Sequence, residues 1–480
     1  MTSYHTFVKN IGIISWANLL LFLERIILLP VITKLLGAEN YGIWTQLGVT
    51  ISFVSPLVIL GLNGAVVRFL AGEKTEKEVQ EGVYSVLTIV FVATSIIALL
   101  LIIFNEPVAN FFQTPPILIK LLSFIIIFEC LNSILLSILQ AFQEIKKYSF
   151  FLILKTLGEV GLVVTALSLG HELLGAVVSL LAIRVVIFLI LFGLLLKRVR
   201  IKIPDFSRIK GYLAFGLPRV ASSISYWVLT SSDRYLIVYF MGVLFVGYYS
   251  PAYTIGNLIN FFIYPFFFML PPVLSKLFDE NKIYEVKTYL KYSLKYFLLI
   301  SIPATFGLSI LSQELLTIFS TEEIALNSYY VTPFIVLSIL FYGIGSFFDQ
   351  ILLLAKKTRI AGTIWIMAAL VNLGLNFLFI PRFGILGAAL TTLLAYLLSF
   401  LLTWYFSSKD LQFDVDWGFV GKSIFASLLM ISAIIWFNPA GIFRTLIAIF
   451  MGVIIYGILI FLLKGLTKKE TEFFKDFLKR

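Results

Sequence analysis

GLPRVASSISYWVLTSSDRYLI, residues 216–237, holds two arginines and an aspartate inside a 480-residue chain that is 60% hydrophobic and only 13% charged. An ordinary soluble domain carries roughly 25% charged residues. Apolar runs of about 20 residues, each able to cross the hydrocarbon layer as helix, recur here from end to end with short connections. They are too long for barrel strands, which alternate over about ten residues. A charge on such a run is costly unless it faces a polar interior, so Arg219, Asp233 and Arg234 set the question for the whole chain. On a helical wheel Arg219, Ser222, Ser223, Tyr226, Thr230 and Asp233 form one narrow stripe. The stretch reads as a spanning helix with one polar face, and the chain as an all-α polytopic membrane protein.

About fourteen transmembrane helices are expected, at 8–31, 41–63, 83–104, 117–140, 149–169, 172–196, 212–240, 243–270, 291–311, 328–354, 360–380, 384–406, 419–437 and 441–463. Glu24 and Arg25 interrupt the first run and no small-residue cleavage site follows it, so it reads as a retained helix. Pro30, Pro56, Pro218, Pro265 and Pro303 are candidate bends, and Pro271-Pro272 reads as the end of span eight. The single cysteine, Cys130, excludes an intramolecular disulfide and a thiolate cluster. His5 and His171 offer no paired metal-ligand spacing, and no phosphate-loop, dinucleotide or nucleophile-elbow motif stands on a suitable turn. No cofactor, metal or catalytic group is expected, and the chain reads as a transporter rather than an enzyme.

The net charge of +11 is topological. With residues in the first turn of a span counted to the adjoining connection, 28 of 37 basic residues fall at the amino terminus, in the connections after even-numbered spans and in the tail; 4 fall in the opposite connections and 5 inside spans. Basic flanks resist translocation, so both termini and the even connections are expected in the cytoplasm of a plasma-membrane protein. The KRVRIK run at 197–202 and the tail LTKKETEFFKDFLKR then serve as anchors to anionic membrane lipids, and no nucleic-acid partner is expected.

The chain also repeats itself. Glu24-Arg25 recurs as Asp233-Arg234, Lys146-Lys147 as Lys356-Lys357, and LGA at 174–176 as LGA at 386–388, at offsets of 209, 210 and 212. Two parallel six-helix lobes, 1–205 and 206–408, are expected, followed by two further helices and a basic tail, 409–480. That is the plan of a carrier with a cavity between two lobes.

Polar stripes recur on other spans: Ser15, Asn18 and Arg25 in span one, Tyr253, Asn257, Asn260 and Tyr264 in span eight, Ser338, Tyr342 and Asp349 in span ten, and Asn372 and Asn376 in span eleven. Such residues also bond helix to helix, so lining and packing both stand as readings of each. Among the charges within spans, Lys155 and Glu159 at i,i+4 are expected to pair. Glu24-Arg25 and Asp233-Arg234 are neighbours pointing about 100° apart and ask for partners on other helices. Arg184 and Arg219 have no acid nearby in sequence, and an unpaired guanidinium is a fork suited to phosphate. Glu129 and Asp349 have no base nearby; a carboxyl in a low-dielectric cavity can carry a proton through a transport cycle.

Three blocks carry a family resemblance: ERIILLPVITKLLGAENYGIWTQLGVTISFVSPLVILGLNGAVVRFLAG, LPRVASSISYWVLTSSDRYLIVYFMGVLFVGYYSPAYTI and NLGLNFLFIPRFGILGAALTTLLAYL. They resemble the Wzx-type polysaccharide-biosynthesis flippases of the multidrug/oligosaccharidyl-lipid/polysaccharide (MOP) exporter superfamily. Arg25, Arg68 and Ser232-Asp233-Arg234 stand where the family's signature positions fall. The resemblance implies translocation of a polyprenyl-pyrophosphate-linked oligosaccharide from the cytoplasmic to the outer leaflet. A groove must then replace the hydration of the head while the lipid tail stays in the bilayer. Arg25, Arg184, Arg219 and Arg234, with Tyr226 and Asn257, are the expected substrate ligands. Asp233, Asp349, Glu24 and Glu129 are the expected ion-coupling groups, for H+ or Na+. Lipid II flippases and cation-coupled multidrug exporters share the fold and remain alternatives. Small-residue pairs do not gather on one outward face, so a monomer is the default.

Overall fold

The computed structural model describes residues 2–70, 72, 75–199, 204–467 and 470, without the side chains of 2–19, 21, 22 and 76. The side chains of Ser15 and Asn18, residues 200–202 of the basic run, and most of the tail lie outside what is described. The chain forms two compact units, 1–247 and 248–480.

The first unit opens with α1 (Thr2–Ile59), which is two spans joined at Gly37, whose φ of 79° and ψ of −179° break the helix. Next come α2 (Leu62–Leu70), α3 (Glu76–Ile103), α4 (Asn105–Phe112), α5 (Pro116–Ala141), α6 (Ile145–Ser168), α7 (Leu173–Arg198) and α8 (Ile209–Met241). Thr75 starts α3 with a capping box, its hydroxyl accepting from Glu78 N at 3.3 Å while the Glu78 carboxylate accepts from Thr75 N at 3.3 Å. In this unit α5 packs on α3 and α7, α1 on α6 and α8, and α2 on α5 and α8.

Glycines set the tightest approaches. Gly37 and Gly242 are both left-handed in φ, at 79° and 98°, and each is followed five residues on by a glycine, Gly42 and Gly247. A methyl on Gly42 would strike the Val243 carbonyl, and one on Gly247 the Ala38 backbone. The contacts are reciprocal. A second backbone-on-backbone contact joins Gly61 and Gly216.

The boundary between the units falls within α9 (Val243–Gly256). The second unit continues with α10 (Asn260–Asp279), α11 (Ile283–Ile310), α12 (Ser312–Phe319), α13 (Glu322–Ser328), α14 (Thr332–Leu354), α15 (Thr358–Ser407), α16 (Trp417–Phe437) and α17 (Gly441–Leu462). α15 is again two spans, broken at Gly384 with φ 60° and ψ −142°. α14 packs along α15, while α11 gathers α10, α14 and α16, and α17 lies on α16. The five candidate prolines stand inside helices, but so do Pro271 and Pro272, since α10 continues to Asp279. Span eight therefore ends later than expected; a proline removes one backbone donor without obliging the chain to leave the helix.

Eleven described helices are long and apolar enough to cross a membrane. Two of them are double spans, and the more polar α8 joins them, giving about fourteen crossings. Trp436 and Phe443 are 88% and 80% exposed, an arrangement suited to hydrocarbon as the surrounding solvent.

Candidate functional site

α8 carries the opening stretch, and packing divides its polar stripe into an open half and a closed half. Arg219, Ser222 and Tyr226 are exposed, whereas Asp233 and Arg234 are buried. The Arg219 guanidinium occupies the place a side chain on Gly64 would fill, and lies 5.8 Å from the centre of the Phe215 ring. Among the described residues no carboxylate pairs with it.

The far half of α8 is fastened to α1. Trp227 Nε1 donates to Val49 O at 3.2 Å and to Ser52 Oγ at 3.1 Å, and its ring lies 4.4 Å from that of Phe53. Tyr235 OH meets Thr50 Oγ1 at 2.7 Å. Neither aromatic stood out in the sequence; both lie beside the polar stripe, which is the signal available there.

Asp233 and Arg234 satisfy each other rather than only partners on other helices. Arg234 Nη1 donates to Asp233 Oδ1 at 2.6 Å and to Thr230 O at 2.6 Å, and Arg234 N donates to Asp233 Oδ1 at 2.9 Å. Adjacent Cβ atoms point apart, but an arginine is long enough to curl back to its neighbour.

A second polar centre lies among α1, α5, α6 and α7. Lys155 Nζ pairs with Glu129 at 2.6 and 2.7 Å instead of with Glu159 one turn along its own helix. Arg184 Nε reaches Glu129 Oε2 at 2.7 Å and its Nη1 reaches Glu159 Oε1 at 3.2 Å. Arg184, expected free for phosphate, is thus buried between two carboxylates, and Glu129, expected without a base, has two. Glu24 lies near this cluster, and among the described residues it makes no ion pair with Arg25. Arg25 is exposed and carries no ion pair among the described residues.

Between the end of α2 and the start of α8 a cavity of about 900 Å3 is lined by Arg68, Thr75, Glu78, Arg208 and Tyr212. Arg208 Nη2 holds Glu78 Oε1 at 2.8 Å.

In the second unit the expected stripes behave differently from one another. Asn372, Asn376 and Thr391 form a buried hydrogen-bonded set across the break in α15, so they pack rather than line. Tyr342 is enclosed by the rings of Phe267, Trp365 and Tyr396. Asn257 is half-buried and accepts from Asn260 Nδ2, while Tyr264 is exposed. Asp349 is half-buried on α14 without an ion pair among the described residues.

Lys295 went unmarked in the sequence because it was grouped with the basic connection. It is buried on α11, its Nζ 3.0 Å from Glu470 Oε2 and 3.3 Å from Asp416 Oδ2, and 5.2 Å from the centre of the Phe419 ring. The signal was the T-x-x-E spacing of Thr467 and Glu470, a capping box in which Thr467 N donates to Glu470 Oε2 at 2.7 Å. Among the described residues no group of three or more His, Cys, Asp or Glu is placed to hold a metal ion.

About fourteen apolar crossings, glycine-broken double spans and charged side chains turned inward define a multi-pass helical membrane protein. The chain superposes with a TM-score of 0.75 and 19% identity on the lipid II flippase MurJ in an inward closed conformation, over 98% of this chain and 100% of that one. It superposes at 0.66 and 14% identity on an inward-facing MATE-family multidrug resistance transporter of the MOP superfamily, over 82% of this chain and 94% of that one. At such identities the likeness is one of fold. The chain belongs to the polysaccharide biosynthesis protein family, which residues 31–325 match. It is 23% identical over 428 residues, 89% of this chain and 88% of the other, to a Haloferax volcanii protein named probable low-salt glycan biosynthesis flippase Agl15.

Proposed function

We propose that this protein moves a polyprenyl-pyrophosphate-linked oligosaccharide from the cytoplasmic to the outer leaflet of the plasma membrane. It does so by alternating access of two lobes, residues 1–205 and 206–408, with both termini in the cytoplasm and an ion gradient supplying direction. The observation that carries the reading is the open half of α8, where Arg219 stands exposed without a carboxylate partner among the described residues. A guanidinium with free donors is a bidentate ligand for a phosphate oxygen pair, and Tyr226 two turns along offers a ring and a hydroxyl to a sugar. The family and the flippase named in Haloferax volcanii support the same cargo class. Arg68, in the cavity at the foot of α8 where Glu78 already holds Arg208, favours an anionic head over the cations of a multidrug exporter. Asp349, half-buried without an ion pair among the described residues, remains an ion-coupling group in this scheme, with Arg25 and Arg234 on the outward path.

The test is translocation of a labelled polyprenyl-pyrophosphate oligosaccharide in vesicles. Arg219→Gln abolishes translocation and Arg219→Lys retains part of it, because a point cation still attracts phosphate. Wild-type translocation by Arg219→Gln would refute the assignment.

A further inference from the structure

The turn between α5 and α6 and the end of α7 enclose a cavity of about 390 Å3, within the range of roughly 300–1,000 Å3 typical of small-molecule sites. Its walls are apolar, with Leu135 and Ile138 from α5 facing Leu191, Leu194 and Leu195 from α7. Its rim is cationic: Lys147 stands in the first turn of α6, and Lys197 and Arg198 in the last turn of α7. A water-soluble anion leaves such walls unfilled, and a purely apolar molecule leaves the cations unneutralised. A lipid with a phosphate head meets both.

The charges at the rim do not cancel. One carboxylate, Glu144, serves two of the three cations: Lys147 Nζ lies 2.9 Å from its Oε2, and Arg198 Nη1 holds its Oε1. Lys197 is exposed and has no ion pair or hydrogen bond among the described residues. Three cations against one carboxylate leave an excess of two positive charges around the mouth. The Arg198 guanidinium lies 4.0 Å from the centre of the Phe142 ring, which holds it over the opening, and its several donors allow it to serve Glu144 and a phosphate together. Basic groups at the ends of spans stand at the level of the lipid head groups, and basic pockets between spans are suited to anionic ones.

We propose that this cavity binds one anionic phospholipid, its phosphodiester held by Lys197 and Arg198 and an acyl chain lying between α5 and α7. A lipid seated there joins the α5–α6 turn to the end of α7. The site lies within the first unit and does not involve Arg219, so the proposal does not rest on the cargo reading, and its readout uses no translocation.

Native mass spectrometry of the full chain, released from micelles holding equimolar phosphatidylglycerol and phosphatidylcholine, tests it. The wild type is expected to retain one phosphatidylglycerol in preference to phosphatidylcholine. Lys197→Gln should weaken that retention about fivefold, the contribution of one basic group beside an anionic lipid, and leave the thermal midpoint unchanged. Leu194→Trp, which fills the groove, should abolish it. Lys210→Gln, at an exposed lysine outside the cavity, is the control. Equal retention of the two lipids by the wild type overturns the proposal. So does unchanged retention in Lys197→Gln, a measurement that stands even if Leu194→Trp fails to fold. A loss in Lys210→Gln as large as that in Lys197→Gln would mean diffuse attraction to the basic connections and overturn it equally. Displacement of the lipid by inorganic phosphate would give the rim to a free anion, and displacement by equimolar polyprenyl pyrophosphate would give the cavity to cargo; either result overturns it.

Discussion

Arg219 stands over Gly64 on an open face, whereas Arg184 is closed between Glu129 and Glu159. The same guanidinium group therefore meets two different surroundings. Removing Arg184 leaves the buried Glu159 without its cation and Glu129 with Lys155 alone, and breaking a buried pair from one side costs about 3–5 kcal/mol. Arg184→Gln is expected to lower the unfolding midpoint strongly in detergent, while Arg219→Gln leaves it near the wild-type value. Equal effects on the two midpoints would contradict this division. Arg219 was legible in the sequence because an arginine on a polar stripe needs an interior. Arg184 looked the same in sequence, and its acids come from 55 residues upstream and 25 residues upstream, beyond any local spacing rule.

At the scale of elements, the two glycine turns at Gly37 and Gly242 stand beside a backbone contact of Gly42 with Val243 and Gly247, and of Gly247 with Ala38. Neighbouring backbone cannot rotate aside as a side chain can. Gly247→Val should cost at least about 1–3 kcal/mol through overpacking, read as a fall in the thermal midpoint. Gly161, with nothing within 4 Å of an added methyl, is the control: Gly161→Ala should be neutral or stabilising by about 0.4–1 kcal/mol. A Gly247→Val protein as stable as wild type would mean that this contact is not part of the stable fold. The offset of about 210 residues between matched charges predicts a repeat from the sequence. It could not reveal that two of the repeated glycines meet, because contact between repeats leaves no periodic trace.

At the scale of the whole chain, the end of the second unit is tied down by Lys295, Asp416 and Glu470. Burial acts to raise the pKa of Glu470, but Thr467 and the Lys295 ammonium outweigh it and hold the carboxyl below its ordinary range. Asp416 is lowered likewise, burial being outweighed by the Phe419 N–H and Lys295. A carboxyl depressed in the folded state contributes stability that is present above its unfolded value and is lost as pH falls through its folded value. Acidification through and below the ordinary carboxyl range should therefore lower the thermal midpoint. Glu470→Gln should start lower at neutral pH and fall less on acidification. A variant whose pH profile runs parallel to wild type would remove Glu470 from the linkage.

Composition and run length alone determined that this chain is a helical membrane protein with about fourteen crossings, because hydrocarbon leaves a backbone few other ways to satisfy its polar groups. The stripe on 216–237 likewise followed from helical period. Only tertiary structure decided which charges are free. Period tells which residues share a face, but a spanning helix is apolar on nearly every side, so nothing local tells which neighbour that face meets. Packing gave Lys155 to Glu129 rather than Glu159, closed Arg184 between two acids, folded Arg234 back on Asp233, and left Arg219 open. Each outcome turns on distances between helices, and those are fixed only when glycines let backbones approach and side chains fill what remains.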